Sequence, residues 1–562
     1  MSWPGPWGAL ALAAVPAAFL VIFFIWPVAT LVARGFTGPS GLDLSGFAEV
    51  MGKARTWRLI GRTVGQAALA TAVCAVAAVP LAALIWRRAF RGRWALRALL
   101  TAPFALPSVV VGLAFKALLG ANGPLGFLGL DQSATAVVAA LVFFNVGLMA
   151  RVVGTFWAAL DPRLEQAARV LGANPWRALV TVTLPALAPA IVAGASLVFL
   201  FSATAFGLVL ILGGAAYGTV ETEIYLQTAQ LLNLRAAAVL SVVQMVIVAG
   251  ALWFGAAARR GRERALKQIG FASGGQANRA SSPAPRPSWR ADWPFMLVTG
   301  LVVVFIALPV GNLAYLSVRD GSGLGLRHWA ALGNPSLAGQ PYSLLAAAGR
   351  SVLIALLAGA IALVGGVAVA VVLGRGGQGR LGRWARGAFD AALMAPLGVS
   401  AVSVGFGFLI TLNRAPLNLR TSFWLIPLAQ ALVALPLVVR TVLPPLAAVE
   451  PRLRQAAAVL GARPWRVFLT VDGPVLRRAG AVAAAYAFAV SVGEFGATAF
   501  LVRPDTTTLP VAIYKLLSRP GAENLGAAMA AAVLLGAITI AAMAAAEAAH
   551  TRRRTGPFEG AA

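Results

Sequence analysis

Side chains able to carry chemistry are few in this sequence, and their spacing excludes most of it. The two histidines, His328 and His550, lie far apart, and the single cysteine, Cys74, sits in an apolar run. No imidazole network, Cys-based zinc cage or intramolecular disulfide follows from such a set. A phosphate-cradling loop needs Gly-x-x-x-x-Gly-Lys-Ser/Thr. The nearest approach, Gly52-Lys53-Ala54, has Phe47 where the first Gly belongs and no hydroxyl for magnesium. The chain is therefore expected to hydrolyse no nucleotide, to be no enzyme, and to bind no metal or cofactor itself. What remains is charge set in apolar surroundings. Glu494 falls within an apolar run, where an ionisable group is costly and marks either a transport pathway or an internal ion pair. A pathway carboxylate there favours a cation; Arg440 and Lys116 are the candidate partners for a pair. Arg151 and Arg440 are expected to snorkel to the interface.

The elements that must position these groups are membrane spans. Hydrophobic residues make up 59% of the 562 and charged residues only 11%, with a mean hydropathy of +0.82. Twelve segments approach the roughly 20 apolar residues that a crossing needs. In the first half they run 7–33, 64–86, 98–119, 135–157, 187–212 and 236–256. In the second they run 294–318, 352–373, 388–412, 422–439, 479–502 and 525–546. The first is too long for a signal-peptide core and lacks a basic n-region, so it is read as a retained span. Pro103, Pro107, Gly112, Pro396 and Gly405 permit kinks and close helix approach in helices expected beside a pore.

Lys plus Arg exceed Asp plus Glu, 46 to 18, for a net charge of +28. Arg87, Arg88, Arg91, Arg93 and Arg97 lie between spans two and three, and Arg375, Arg380, Arg383 and Arg386 in the equivalent second loop. Positive residues collect on the cytoplasmic side, which places both termini there. The excess charge is matched to anionic lipid rather than to nucleic acid. Lys53, Arg55, Arg58 and Arg62 flank an outside loop and run against this bias. The expected organisation is a first half, 1–258, with a loop at 159–185; a flexible basic linker, 259–293; a second half, 294–547, with a loop at 448–474; and a tail, 548–562.

The two halves are a repeat. Asp161 to Pro185, DPRLEQAARVLGANPWRALVTVTLP, returns as Glu450 to Pro474, EPRLRQAAAVLGARPWRVFLTVDGP, with about 16 of 25 positions identical at an offset of 289. The offset also carries Phe206-Gly207 to Phe495-Gly496 and Tyr225 to Tyr514. With a one-residue slip, Gly61-Arg62-Thr63-Val64 matches Gly349-Arg350-Ser351-Val352. Six spans per half make the repeats parallel, related by a pseudo-twofold axis along the membrane normal, with a pathway between them. Asp161 and Gly172 bound a short helix, and Asn174-Pro175 starts a second; Glu450, Gly461 and Arg463-Pro464 repeat this. Such a segment suits a groove on another protein or, failing that, the headgroup layer. Tyr225 and Tyr514 are expected as aromatic-belt anchors.

At these residues the chain resembles the integral membrane subunits of bacterial ATP-binding-cassette importers, whose signature is Glu-Ala-Ala, three residues, Gly, and a later Leu-Pro. Here it reads Gln166-Ala167-Ala168 with Gly172 and Leu184-Pro185, and again Gln455-Ala456-Ala457 with Gly461 and Pro474. Gln replaces the first Glu in both copies, with Glu165 adjacent in the first. The resemblance implies an all-α type I permease fold, about twelve helices in two six-helix halves, with a coupling helix in each. It implies two copies of a separate ATPase carrying ATP and Mg, and a solute-binding protein outside. Two such loops in one chain resemble the fused permeases of the thiamine and ferric-iron importers. Ser491 to Gly496, Thr508-Leu509-Pro510, Ile513-Tyr514 and Phe143-Phe144-Asn145 are similar to the thiamine permeases, although ferric permeases also carry an acidic residue before Phe-Gly. A secondary transporter would show a repeat but would not need these loops. A membrane enzyme would need clustered catalytic groups.

Overall fold

Without water to satisfy the backbone, long apolar segments close into helices. The structure, a computed structural model, describes residues 6–551 except 39–40, 215, 269–287, 322, 336–340, 376–386, 388 and 415–416. Among the described residues ten helices are long and apolar enough to cross a membrane. They are Ala11–Phe36, Ala54–Arg87, Ala134–Ala159, Pro175–Ala203, Leu234–Ala257, Asp292–Val318, Leu344–Gly374, Leu425–Ala447, Pro464–Val492 and Ala522–Ala545. Two-residue antiparallel ladders follow the first helix of each half, Thr37–Gly38 on Gly41–Leu42 and Arg319–Asp320 on Gly323–Leu324.

Spans three and nine depart from the expected straight crossings. The former is a pair, Arg93–Ala105 and Ser108–Leu119, bent by 101°. Pro107 lacks an N–H and drives Leu106 out of the helical region, to φ −67° and ψ 139°. In the second half a 3-10 turn, Ala395–Gly398, gives way to extended Val399 and Ser400 before the short helix Ala401–Thr411.

Spans five and eleven are shifted toward the N-terminus of their expected ranges. Each begins at the proline that was to start a separate second helix, and a five-residue π turn, Leu179–Thr183 or Phe468–Asp472, carries it into the membrane segment unbroken. Pro185 and Pro474 follow these turns, and their missing N–H is what the widened turn accommodates. Both helices then stop, at Ala203 and Val492. Glu494 consequently lies in the break after the eleventh span rather than inside it. The sixth helix extends to Gln268, so the first ten residues of the expected linker are helical. Most of the rest of that linker, together with Arg380, Arg383, Arg386 and the tail from Arg552, lies outside the described residues.

The halves are not packed side by side as two closed bundles, because each lends part of its first helix to the other. Leu20 and Phe24 are buried among Ile354, Leu393, Phe408 and Leu432, and the rings of Phe23 and Phe408 lie 6.0 Å apart. Reciprocally, Phe305 sits edge-on to Phe115 and Phe143 at 6.1 and 6.3 Å. The largest buried cluster lies on the seam, where Val109, Val110 and Phe206 of the first half meet Val402, Phe406 and Phe495 of the second.

Candidate functional site

Two kinds of site emerge, a pair of exposed segments on one face and a buried seam between the halves. The first segment is the helix Arg163–Val170, and its repeat is Pro451–Val459; neither contains a buried residue. Asp161 Oδ1 accepts the N–H of Arg163 at 3.0 Å. Each helix ends on a glycine in the left-handed region, Gly172 at φ +87° and Gly461 at φ +80°, which an L side chain resists. Ala173 N–H donates to Ala168 O at 3.0 Å, and Ala462 N–H to Ala457 O at 3.1 Å. The turn aims two apolar side chains outward. Val170 and Leu171, like Val459 and Leu460, are each 87% exposed. Gln166, Ala167, Gln455 and Ala456 are exposed beside them, with Ala168 and Ala457 half-buried.

The two segments are tied down by opposite charges at the same repeat position. In the first copy Glu165 pairs with Arg87 at 2.6 Å and with Arg169 at 2.8 Å. Burial pushes the Glu165 carboxyl up, but the Arg87 and Arg169 guanidiniums outweigh it and hold the group below its ordinary range. In the second copy Arg454 takes its place, donating to Asp472 Oδ1 at 3.0 and 2.8 Å. Arg88 pairs with Asp292 at 2.8 Å, so the basic loop, the first docking segment and the start of the second half share one face.

The opposite end repeats a different pattern. Thr63 Oγ1 accepts the N–H of Val220 at 3.0 Å, and Ser351 Oγ accepts that of Leu509 at 2.7 Å. Arg62 donates to Ala216 O at 3.2 Å while Arg350 donates to Asp505 O at 2.7 Å. The charges that ran against the positive-inside bias have local partners. Lys53 pairs with Glu49 and Arg55 with Glu223, both at 2.7 Å, and Arg62 lies 5.0 Å over the Tyr217 ring.

On the seam, the Phe-Gly pairs that the repeat singled out meet. Phe206 and Phe495 stack with centroids 5.4 Å apart and planes 15° from parallel. Tyr225 leans on Phe206 at 5.4 Å and Tyr514 on Phe495 at 5.5 Å. Both tyrosines thus flank the seam and do not form a lipid-facing belt. Gly207 permits the stack, since a Cβ there would lie 2.8 Å from both the Phe495 ring and Ser108 Oγ. Glu494 turns back on its own chain. Its Oε1 accepts the N–H of Ala497 at 2.7 Å, and its Oε2 accepts the N–H and Oγ1–H of Thr498 at 3.0 and 2.5 Å. Neither Arg440 nor Lys116 forms an ion pair with it among the described residues; Arg440 Nε instead faces Met394 Sδ at 3.2 Å.

Sequence reasoning passed over Glu221. It is fully buried in the short helix Val220–Tyr225 and accepts the Ser400 hydroxyl of the other half at 2.9 Å. The sequence signal is an acidic residue 15 positions after Phe206, but it falls between the expected spans 187–212 and 236–256. An open pocket of about 400 Å³, lined by Tyr514, Lys515, Ser518 and Arg519, reaches the tyrosine that leans on the stack.

Fold and site together define a two-half integral membrane permease with two docking segments on one face. Residues 76–262 match the family described as binding-protein-dependent transport system inner membrane component. The sulfate transport system permease protein of Escherichia coli (strain K12) is 30% identical over 35% of this chain and 72% of its own. The thiamine transport system permease protein of Salmonella typhimurium is 25% identical over 91% of this chain and 92% of its own. The molybdenum transport system permease protein of E. coli (strain K12) is 36% identical over 24% and 65%. The chain belongs to the family of binding-protein-dependent transport system inner membrane components. It is a multi-pass permease subunit of an ATP-binding-cassette importer, a transport component that works with an ATPase and a solute-binding protein.

Proposed function

We propose that this chain forms the whole translocation pathway of its importer, that two copies of the ATPase dock on Arg163–Val170 and Pro451–Val459, and that its cargo is thiamine or a thiamine phosphate ester. One observation carries the docking assignment: the same two apolar residues stand uncovered at the tip of both repeats. A groove on a partner would cover them, and a docked helix pair would convert ATP-driven closure of the ATPases into movement of the two halves. Glu165, Gln166, Ala167, Ala168 and Gly172, with Gln455, Ala456, Ala457 and Gly461, are the coupling residues. ATP and Mg are held by the ATPases. The docking face is cytoplasmic, with both termini, and the solute-binding protein delivers cargo to the opposite face.

Thiamine is favoured over ferric iron because the match to two thiamine permeases runs through both halves, over 91% and 85% of this chain. The sulfate and molybdenum relatives cover only a part. Lys515 and Arg519 at the pocket suit a phosphate ester. Alternating access follows if closure of the ATPases draws the halves together at the docking face and separates Phe206 from Phe495. Reconstituting the chain with its ATPase and binding protein, and offering labelled thiamine, thiamine diphosphate and ferric ion separately, tests this. ATP-dependent accumulation of a thiamine compound is expected. Accumulation of iron alone would overturn the cargo. Val170→Asp with Val459→Asp should abolish ATPase copurification, and full retention would overturn the docking assignment.

A further inference from the structure

Of the two buried carboxylates on the seam, only one is fully spent on the fold. Glu494 gives both oxygens to the backbone and hydroxyl of residues 497 and 498, which fixes the break after the eleventh span. Glu221 is different. It is fully buried, and Oε1 has no hydrogen-bond partner. Its other oxygen takes a single bond, from Ser400 across the seam. Gln244 lies alongside, equally buried, with its side chain hydrogen-bonding toward the Glu221 carboxyl; its amide donates to Ala203 O at 3.0 Å while its own oxygen is unpartnered. The same segment shows the contrast in chemistry: Glu223, two residues on, is paired with Arg55 and bonded to Gln227, whereas Glu221 has no ion pair among the described residues.

Buried acceptors left open in this way are costly, and the cost is repaid where a ligand supplies the missing charge. The surroundings specify its sign. Two open oxygens, from Glu221 and Gln244, offer acceptors, and the donors beside them, the Ser400 hydroxyl and the Gln244 amide, are neutral. Phe206 and Phe495 stack on the same seam, and the faces they turn to each other would attract a cation once parted. Glu494 reinforces the negative character: Gly496, beside which its carboxylate folds, packs on Ala401, the neighbour of Ser400.

We propose that Glu221 is the counter-ion met by the cationic part of the cargo as it crosses between the halves, with Ser400 aiming the carboxylate and the Phe206–Phe495 stack closing the route. Parting of the halves breaks the Ser400 bond, because donor and acceptor belong to different halves, and frees the second oxygen at the moment the cargo arrives. The proposal rests on the reading that the cargo carries positive charge.

The test uses the full chain reconstituted with its ATPase and binding protein. Uptake of labelled thiamine is compared with that of its neutral isostere, in which a thiophene replaces the thiazolium, in wild type, Glu221→Gln and Ser400→Ala. Glu221→Gln is expected to slow thiamine uptake about tenfold and to change uptake of the neutral isostere less than twofold. Ser400→Ala, which keeps the carboxylate, should shift the same ratio in the same direction by less, and it substitutes as the test if Glu221→Gln is lost from the membrane. Equal slowing of both compounds, or no slowing of either, would overturn the proposal. If wild type accumulates ferric ion and not thiamine, the thiamine reading falls by itself, and a tenfold loss of iron uptake in Glu221→Gln still supports the counter-ion. Accumulation of sulfate or molybdate would overturn both.

Discussion

At the residue scale the repeat preserves a function while reversing the chemistry that serves it. Position 165 is Glu and its partner position 454 is Arg, yet each pins its docking helix to the bundle, one through Arg87 and the other through Asp472. Glu165→Arg should set two guanidiniums against each other and loosen Arg163–Val170. Adding Arg87→Glu should restore the tie, with a coupling energy of about 1 kcal/mol in a double-mutant cycle. Amide exchange in residues 163–170 reads this directly, with 451–459 as the internal control. The pH dependence has a fixed sign. A carboxyl whose folded pKa lies below its ordinary value contributes stability that is present above that ordinary value, and the contribution is lost as pH falls through the lowered one. Exchange protection of the first helix should therefore be flat around neutrality and decline only in acid, and Glu165→Gln should remove that decline. A decline near neutral pH would show that another group carries the tie.

At the element scale the structure explains repeats that were legible as letters but not as causes. Gly61-Arg62-Thr63-Val64 and its copy were visible as a match, but the reason for the hydroxyl was not, because its partner N–H lies 157 residues away in one half and 158 in the other. Each bond holds the first residue of the helix that follows the break, Val220 or Leu509. Thr63→Val or Ser351→Ala leaves a buried N–H without a partner, at a cost of about 1–3 kcal/mol. Thermal unfolding in detergent should show comparable losses for the two and a nearly additive double variant; a silent Ser351→Ala would mean that the helix start is held by packing alone. The broken spans were half legible. Pro107 announced a kink, yet nothing local to Thr204 or Gly493 distinguishes the end of spans five and eleven, since the apolar composition continues straight through. Those breaks are tertiary: Gly493 is where Pro107 of the other half approaches, and a Cβ there would come within 2.9 Å of it. Glu221 was missed for a related reason, because its importance comes from Ser400, in the other half of the chain.

At the scale of the whole molecule, the exchange of first helices alters what the linker is for. Composition and the repeat point to two halves of similar build, but neither reveals that Leu20 and Phe24 of the first helix pack on the second half while Leu31 and Gly35 stay on Leu234–Gln268 of their own, or that Phe305 packs on the first half, because an apolar helix carries little record of which apolar neighbour it meets. Lipid tails are as apolar as leucine, so burial alone gives these contacts no drive, and close packing must hold them. That packing is present: Gly407 lies against Pro27 such that a Cβ would be 3.1 Å from the proline ring, and Phe23, Phe305 and their ring partners are in contact range. With each half clasped by the other, the covalent connection through residues 269–287 is not what keeps them together. Two separate chains, cut within that segment and coexpressed, should copurify in equal amounts and retain uptake within about twofold of the intact protein. The clasp itself is then the sensitive part. Gly407→Leu drives a side chain into Pro27, and in the split form, where no linker masks the loss, it should reduce copurification severalfold while leaving the intact chain assembled. Halves that separate on cutting alone would show that the linker, not the exchanged helices, sets their association.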